Sequence, residues 1–182
     1  MSETAIWRRL DRPGHDAALL QPSADGWLLQ GAAVFGHESG PASVAYRVEV
    51  DTLWRTKSGN VCGFLGDNTF RHDIRRERDG WRLNGLIAKG LEDLLDLDYG
   101  FTPATNLLQL RRIRISPNQK VSLPVAWFNL DSASLTVLPQ SYERMGEATY
   151  AYAAPTVPYE ALLEIAPNGF VKSYPGLWRL ET

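Results

Sequence analysis

The chain has 182 residues, 44% of them apolar, and 19 basic against 21 acidic side chains give a formal net charge of −2. A chain of this length buries roughly 70% of its unfolded surface, so residues 1–182 are expected to fold as one domain with no metal or cofactor to hold them. The near-neutral balance excludes a global field drawing the protein to nucleic acid or to an anionic membrane, and six Trp, seven Tyr and six Phe exclude disorder.

Nowhere do about 18 consecutive apolar residues occur, so no helical membrane span is expected. Met1–Gly14 carries Arg8, Arg9, Asp11 and Arg12 without the apolar run of a signal peptide, so a cytoplasmic location is expected. Cys62 is the only cysteine, so no intrachain disulfide forms, and it reads as a small buried hydrophobe.

Taken in chain order, the pattern is one of short strands. Ala5–Leu10 and Trp27–Phe35 come first. Next, Val44, Tyr46, Val48 and Val50 fall on one face, with Ser43, Arg47, Glu49 and Asp51 on the other, which is the period of a half-buried strand. Val61–Leu65, Phe70–Arg78 and Trp81–Leu86 follow, and Asp79-Gly80 between the last two is a two-residue hairpin signal. Ser58-Gly59-Asn60, Ser116-Pro117-Asn118 and Pro167-Asn168-Gly169 are weaker punctuation of the same kind. A short helix is compatible only with Ile87–Leu95, from the spacing of Leu91, Leu94 and Leu95. Strands resume at Leu107–Ile115, Val121–Leu130, Leu135–Glu143, Thr149–Ala153, Tyr159–Ile165 and Phe170–Lys172. About a dozen short strands with at most one short helix predict an all-β domain built on a strongly curved or closed, barrel-like antiparallel sheet.

One pattern repeats: Asp25-Gly26-Trp27-Leu28-Leu29-Gln30-Gly31 and Asp79-Gly80-Trp81-Arg82-Leu83-Asn84-Gly85. It reads as two strands entered from similar turns. Arg71, Arg75, Arg76 and Arg78 charge both faces of one strand without interleaved aromatics, which fits a charge-protected sheet edge better than RNA binding.

No glycine-rich phosphate loop, nucleophile elbow or paired Cys/His metal spacing is present, and His15, His37 and His72 lie far apart. His72 alternates with Phe70 and Ile74 and reads as an interior histidine. The candidate chemistry concentrates in Asp96–Asn106. Asp96 and Asp98 are two apart, so in a strand they share a face and present an acid–base pair or cation ligands, although a structural role is the better reading. Thr102, Thr105 and Asn106 suit a turn or the hydroxyls of a sugar. Leu108 and Leu110 are expected to share a strand face with Arg112 and Arg114. An arginine there needs a partner, and an internal pair with Asp96 or Asp98 is favoured over an anionic ligand. Arg111 belongs to the same arginine run. Trp54, Trp81 and Trp127 are candidates to line an apolar cavity or stack on sugar rings, beside Trp7, Trp27 and Trp178, for all of which core packing is the alternative.

The order and spacing of Asp96-Leu97-Asp98, Thr102-Pro103-x-Thr105-Asn106 and Leu110-Arg111-Arg112-Ile113 resemble the core motif of the bacterial putative glycolipid-binding family. The likeness continues through Val125-Ala126-Trp127, Gln140-Ser141-Tyr142, Tyr150-Ala151-Tyr152, Gly169-Phe170-Val171 and Tyr174-Pro175-Gly176-Leu177-Trp178, and departs at Gln109 and Asn168, where proline and aspartate are expected. It implies a soluble β protein with a ligand-holding concavity, by analogy with periplasmic lipoprotein carriers. The expected function is therefore non-catalytic binding of an amphipathic small molecule, a glycolipid or lipid. The aromatics Trp54, Trp81, Trp127, Tyr150 and Tyr152 would meet its apolar part, and Asp96, Asp98, Thr102, Thr105, Asn106, Arg111 and Arg112 its polar part. Two rivals are a hydrolase or isomerase using Asp96 or Asp98, and a scaffold with an apolar outer patch and a filled interior.

Overall fold

Alternation of apolar and polar residues drives almost every element of the computed structural model, which describes residues 1–181. The N-terminal strands are β1 (Glu3–Arg9), β2 (Gly14–Ser23), β3 (Gly26–His37), β4 (Gly40–Asp51), β5 (Thr56–Leu65), β6 (Asn68–Glu77), β7 (Gly80–Leu83) and β8 (Leu86–Ala88). A middle segment follows, with β9 (Leu97–Tyr99), helix α1 (Asn106–Ile113), β10 (Lys120–Ser122), β11 (Val125–Asn129) and β12 (Ser134–Leu138). The C-terminal strands are β13 (Ser141–Arg144), β14 (Thr149–Ala154), β15 (Tyr159–Ile165), β16 (Val171–Tyr174) and β17 (Trp178–Glu181).

The strands make one 14-stranded sheet in the order β10-β13-β14-β15-β16-β17-β1-β2-β3-β4-β5-β6-β7-β8, antiparallel throughout. Two consecutive meanders, one from each end of the chain, are joined where β1 pairs with β17, from Ile6 opposite Glu181 to Arg9 opposite Trp178. The sheet is open: β8 and β10 are its two edges, so the closed-barrel form of the expectation gives way to the curved one. Both edge strands are only three residues long, which limits the unpaired backbone they offer to other chains.

A second, three-stranded sheet, β12-β11-β9, packs with α1 against the first. Its β9–β11 pairing is parallel, with Leu97 opposite Ala126 and Tyr99 opposite Phe128. Leu97, Tyr99, Phe101, Leu107 and Phe128 from this insert share one buried cluster with Trp7, Tyr46, Val61, Ile74 and Trp81 of the large sheet. The concavity expected to hold a ligand is therefore filled by the chain's own middle segment. Gly59 makes room for it, and Gly31 makes room for Tyr46 of the large sheet itself. A Cβ on Gly59 would overlap Leu97 and the Tyr99 hydroxyl, and one on Gly31 would overlap the Tyr46 ring.

Several sequence expectations are corrected. The Leu107–Ile115 strand is the helix α1, so Leu108 and Leu110 do not share a strand face with Arg112 and Arg114. Leu, Gln and Arg are straight-chain helix formers, and that preference prevails once Thr105, Gln109 and Arg112 can turn one helical face towards β9. Arg114, at φ 40°, ends the helix in a left-handed residue whose N–H donates to the Leu110 carbonyl. The helix expected in Ile87–Leu95 is instead β8 followed by turns, interrupted by Gly90 at φ 79°. At the Asp79-Gly80 signal the two loop residues are Arg78 and Asp79. Gly80, at φ 123°, opens the next strand opposite Glu77. Gly26 (φ 147°) does the same opposite Ser23, which accounts for the repeated Asp-Gly-Trp pattern as a repeated turn. The arginine-rich strand is β6, third from the edge rather than at it. Strands β2 and β17 were missed, as Pro22 and the small residues of β2 blur its alternation.

Candidate functional site

Asp96 and Asp98 bracket Leu97 in β9 and both reach α1. Asp96 is buried and accepts three hydrogen bonds from Arg112, at 2.7–3.0 Å. Burial nevertheless raises its pKa, against the lowering effect of Arg112. Asp98 accepts from Thr105 Oγ1 at 2.7 Å and Gln109 Nε2 at 3.0 Å, and burial pushes it up to about 6. Gln109 Oε1 in turn accepts from Gln140 Nε2 (2.7 Å) and the Tyr142 hydroxyl (3.1 Å). Asn106 donates to that hydroxyl at 2.6 Å, and Tyr152 donates to Gln140 Oε1 at 2.8 Å. Thr102 donates to Asp16, which also accepts from the Tyr46 hydroxyl at 3.0 Å. No buried side-chain nitrogen or oxygen among the described residues lacks a partner. These groups form a self-satisfied polar seam that fastens the insert to the sheet.

The twelve predicted site residues thus have separate surroundings. Asp96, Asp98, Thr102, Thr105, Asn106 and Tyr152 are buried in that seam, with half-buried Arg112 as the counter-charge to Asp96. Trp81 is fully buried and donates to the Leu94 carbonyl at 3.0 Å. Trp127 is half-buried against Gly100, beside a small pocket of about 120 Å³ that it shares with Arg12, His37 and Asp131. Trp54 stacks on Trp27 with centroids 5.0 Å apart, and Arg111 lies 5.5 Å over its ring. Tyr150 and Arg111 line a cleft of about 490 Å³.

A larger concavity lies elsewhere, on the outer face of the N-terminal meander. In register across four strands stand Ala17, Ala32, Ala45 and Cys62, each directly opposite the next. The adjoining row is Thr4, Leu19, Gln30, Arg47 and Asn60, and the row on the other side is His15, Val34, Ser43 and Phe64. One-carbon side chains between two rows of longer ones leave a trough, because outward side chains stand perpendicular to the sheet. Its volume is about 630 Å³, and Thr4, Ala17, Ala32, Ala45, Arg47 and Cys62 are among its walls. Val34 and Phe64 are exposed beside it, at 57% and 39%. Cys62 is half-exposed on this floor rather than buried in the core. No single residue here carries chemistry. The outward alanines of β2, β3 and β4 were the only sequence signal, and they become a site only when the strand register aligns them.

A family model described as "Putative glycolipid-binding" matches residues 4–180. The chain belongs to that family. The fold of this family member is also that of a crystallised DUF1089 family protein from Pseudomonas aeruginosa. The two are similar with a TM-score of 0.79 and 21% sequence identity over 91% of each chain. No curated protein matches the chain. No helix in the described residues is long and apolar enough to cross a membrane.

Proposed function

We propose that the protein is a non-catalytic binder of an amphipathic lipid or glycolipid, and that the apolar part of the ligand lies in the outer trough rather than in the sheet's concave interior. The aligned row of Ala17, Ala32, Ala45 and Cys62 carries this reading. Five neighbouring strands at about 4.8 Å spacing give the trough a length near 19 Å, a shape suited to an extended alkyl chain. The family description is consistent with such a ligand. Both Asp96 oxygens accept from Arg112, and Asp98 is buried with Oδ1 accepting from Thr105 and Gln109, which argues against a general acid–base pair presented to a substrate.

Binding of 1-lauroylglycerol and dodecyl maltoside, below their micelle concentrations, tests the reading by calorimetry. Saturable binding is expected for the native protein. Ala45→Trp, which sets an indole on an exposed floor position, is expected to weaken it at least tenfold while the melting temperature is retained. Equal binding by the variant would move the site elsewhere, and no saturable binding of either compound would overturn the reading.

A further inference from the structure

A second concavity, linked to the trough through Asn168, differs from it in chemistry. The cleft of about 490 Å³ is lined by Arg111, Tyr150, Ala148, Gly169 and the exposed Glu147. Among the described residues, no carboxylate lies within ion-pair distance of Arg111. Its Nη2 donates to the Asn168 carbonyl at 3.1 Å, and its remaining N–H groups have no acceptor among the described residues. One face of the guanidinium is backed by Trp54 at 5.5 Å, and Trp54 is itself stacked on Trp27. The other side is kept clear by Gly169 at φ 89°, where a Cβ would stand 3.2 Å from Arg111 Nε.

Trp54 is held for this position at a conformational cost. Its φ of 64° is a left-handed value that a bulky side chain rarely adopts. The Asp51–Arg55 loop imposes it. Asp51 Oδ1 accepts from the N–H groups of Leu53 and Arg55, both at 2.9 Å, Asp51 Oδ2 accepts from Arg55 Nε at 2.7 Å, and the Asp51 carbonyl accepts from Trp54 N–H at 3.0 Å. The strain thus orients an indole that pre-orders a cation open to a cleft.

Asn168 joins cleft and trough. While its carbonyl accepts from Arg111, its Nδ2 donates to the carbonyl of Thr4, which stands at the β1 end of the trough. From this juxtaposition we infer that Arg111 is the anchor for an oxyanion, a phosphate or carboxylate, on the polar head of the amphiphile whose chain occupies the trough. The inference rests on the trough reading for the chain and names the head that reading leaves open. A planar guanidinium backed by an aromatic ring takes such a group bidentately.

The test uses the full chain and three probes: lauroyl lysophosphatidic acid, 1-lauroylglycerol, which lacks only the phosphate, and glycerol 3-phosphate, which lacks only the chain. The native protein is expected to bind the acidic lipid at least tenfold more tightly than 1-lauroylglycerol. Arg111→Met is expected to abolish that preference without changing the affinity for 1-lauroylglycerol, and Arg111→Lys, which keeps charge but not the planar fork, to retain part of it. Equal binding of the two lipids by the native protein, or an undiminished preference in R111M, overturns the inference and leaves the trough reading standing. If neither 1-lauroylglycerol nor dodecyl maltoside binds, the trough reading falls; binding of glycerol 3-phosphate that R111M loses would still support the anion site as one for free phosphates. No binding of either phosphate compound overturns it.

Discussion

Asp16 and Asp98 are the buried carboxylates without a cation, and their energetics run opposite to those of a paired acid. Burial raises each from the ordinary 3.8 to about 6, against hydrogen bonds from Thr102 and Tyr46 on Asp16 and from Thr105 and Gln109 on Asp98. A group raised in the folded state binds its proton more tightly there than in the unfolded chain. Stability is therefore highest below about pH 4, falls as pH rises from about 4 to about 6, and is level above that as far as these two groups are concerned. One pKa unit corresponds to about 1.4 kcal/mol, so each carboxylate costs on the order of 3 kcal/mol at neutral pH. Asp16→Asn is expected to flatten this decline by about half in a series of melting curves from pH 4 to pH 7; an unchanged slope would mean that Asp16 titrates alike in the folded and the unfolded chain. Arg112→Met tests the opposite situation. Removing the partner of buried Asp96 is expected to cost about 3 kcal/mol in denaturant titration at pH 7, because an uncompensated charge is left behind.

Elements were legible where local signals agree with the tertiary outcome. The alternation of Val44, Tyr46, Val48 and Val50 is a strand in sequence and in structure, because β4 is central and buries one face. The Asp96-to-Arg112 relation was readable as an ion pair, since burial of an arginine demands one. The element carrying Arg112 was not, because eight residues with two adjacent leucines satisfy either period until β9 supplies the facing carboxylates. The outer trough was invisible for a different reason: its floor is contributed one alanine at a time by separate strands, and register is set by turns and pairing rather than by the residues themselves. The insert makes a related demand on the sheet. Gly59 has an ordinary strand φ, so its glycine requirement is purely steric, arising from Leu97 and Tyr99 above it. Gly59→Ala is expected to destabilise the protein by at least about 2 kcal/mol through displacement of the insert, with protease sensitivity appearing first in the segment 96–113. Cleavage beginning instead at β5 itself would assign the cost to strand pairing.

At the scale of the whole molecule, the two meanders and the insert divide the work. The large sheet supplies a wall with two usable faces; the middle of the chain fills one of them, leaving the other free for the trough. This separation predicts that substitutions in the polar seam lower stability without altering relative affinities for ligands, whereas trough and cleft substitutions do the reverse. Comparing D98N with A45W by melting temperature and by 1-lauroylglycerol binding checks it, and a seam variant that changes ligand preference at full stability would contradict it.

The pairing of β1 with β17 sets the order in which the molecule can be completed. On a ribosome the first meander emerges with one edge of β1 bare, and that edge has no partner until residues 178–181 have been made. Trp7, fully buried and donating to the Val171 carbonyl at 2.6 Å, waits equally long. The step that joins the halves therefore spans nearly the entire chain, a contact order that slows folding and leaves a sticky edge displayed during synthesis. The same proximity means that a short linker between β1 and β17 would turn this slow encounter into a local hairpin. A circular permutant so joined, reopened at the exposed Asp131–Ala133 turn, is expected to refold faster than the native chain.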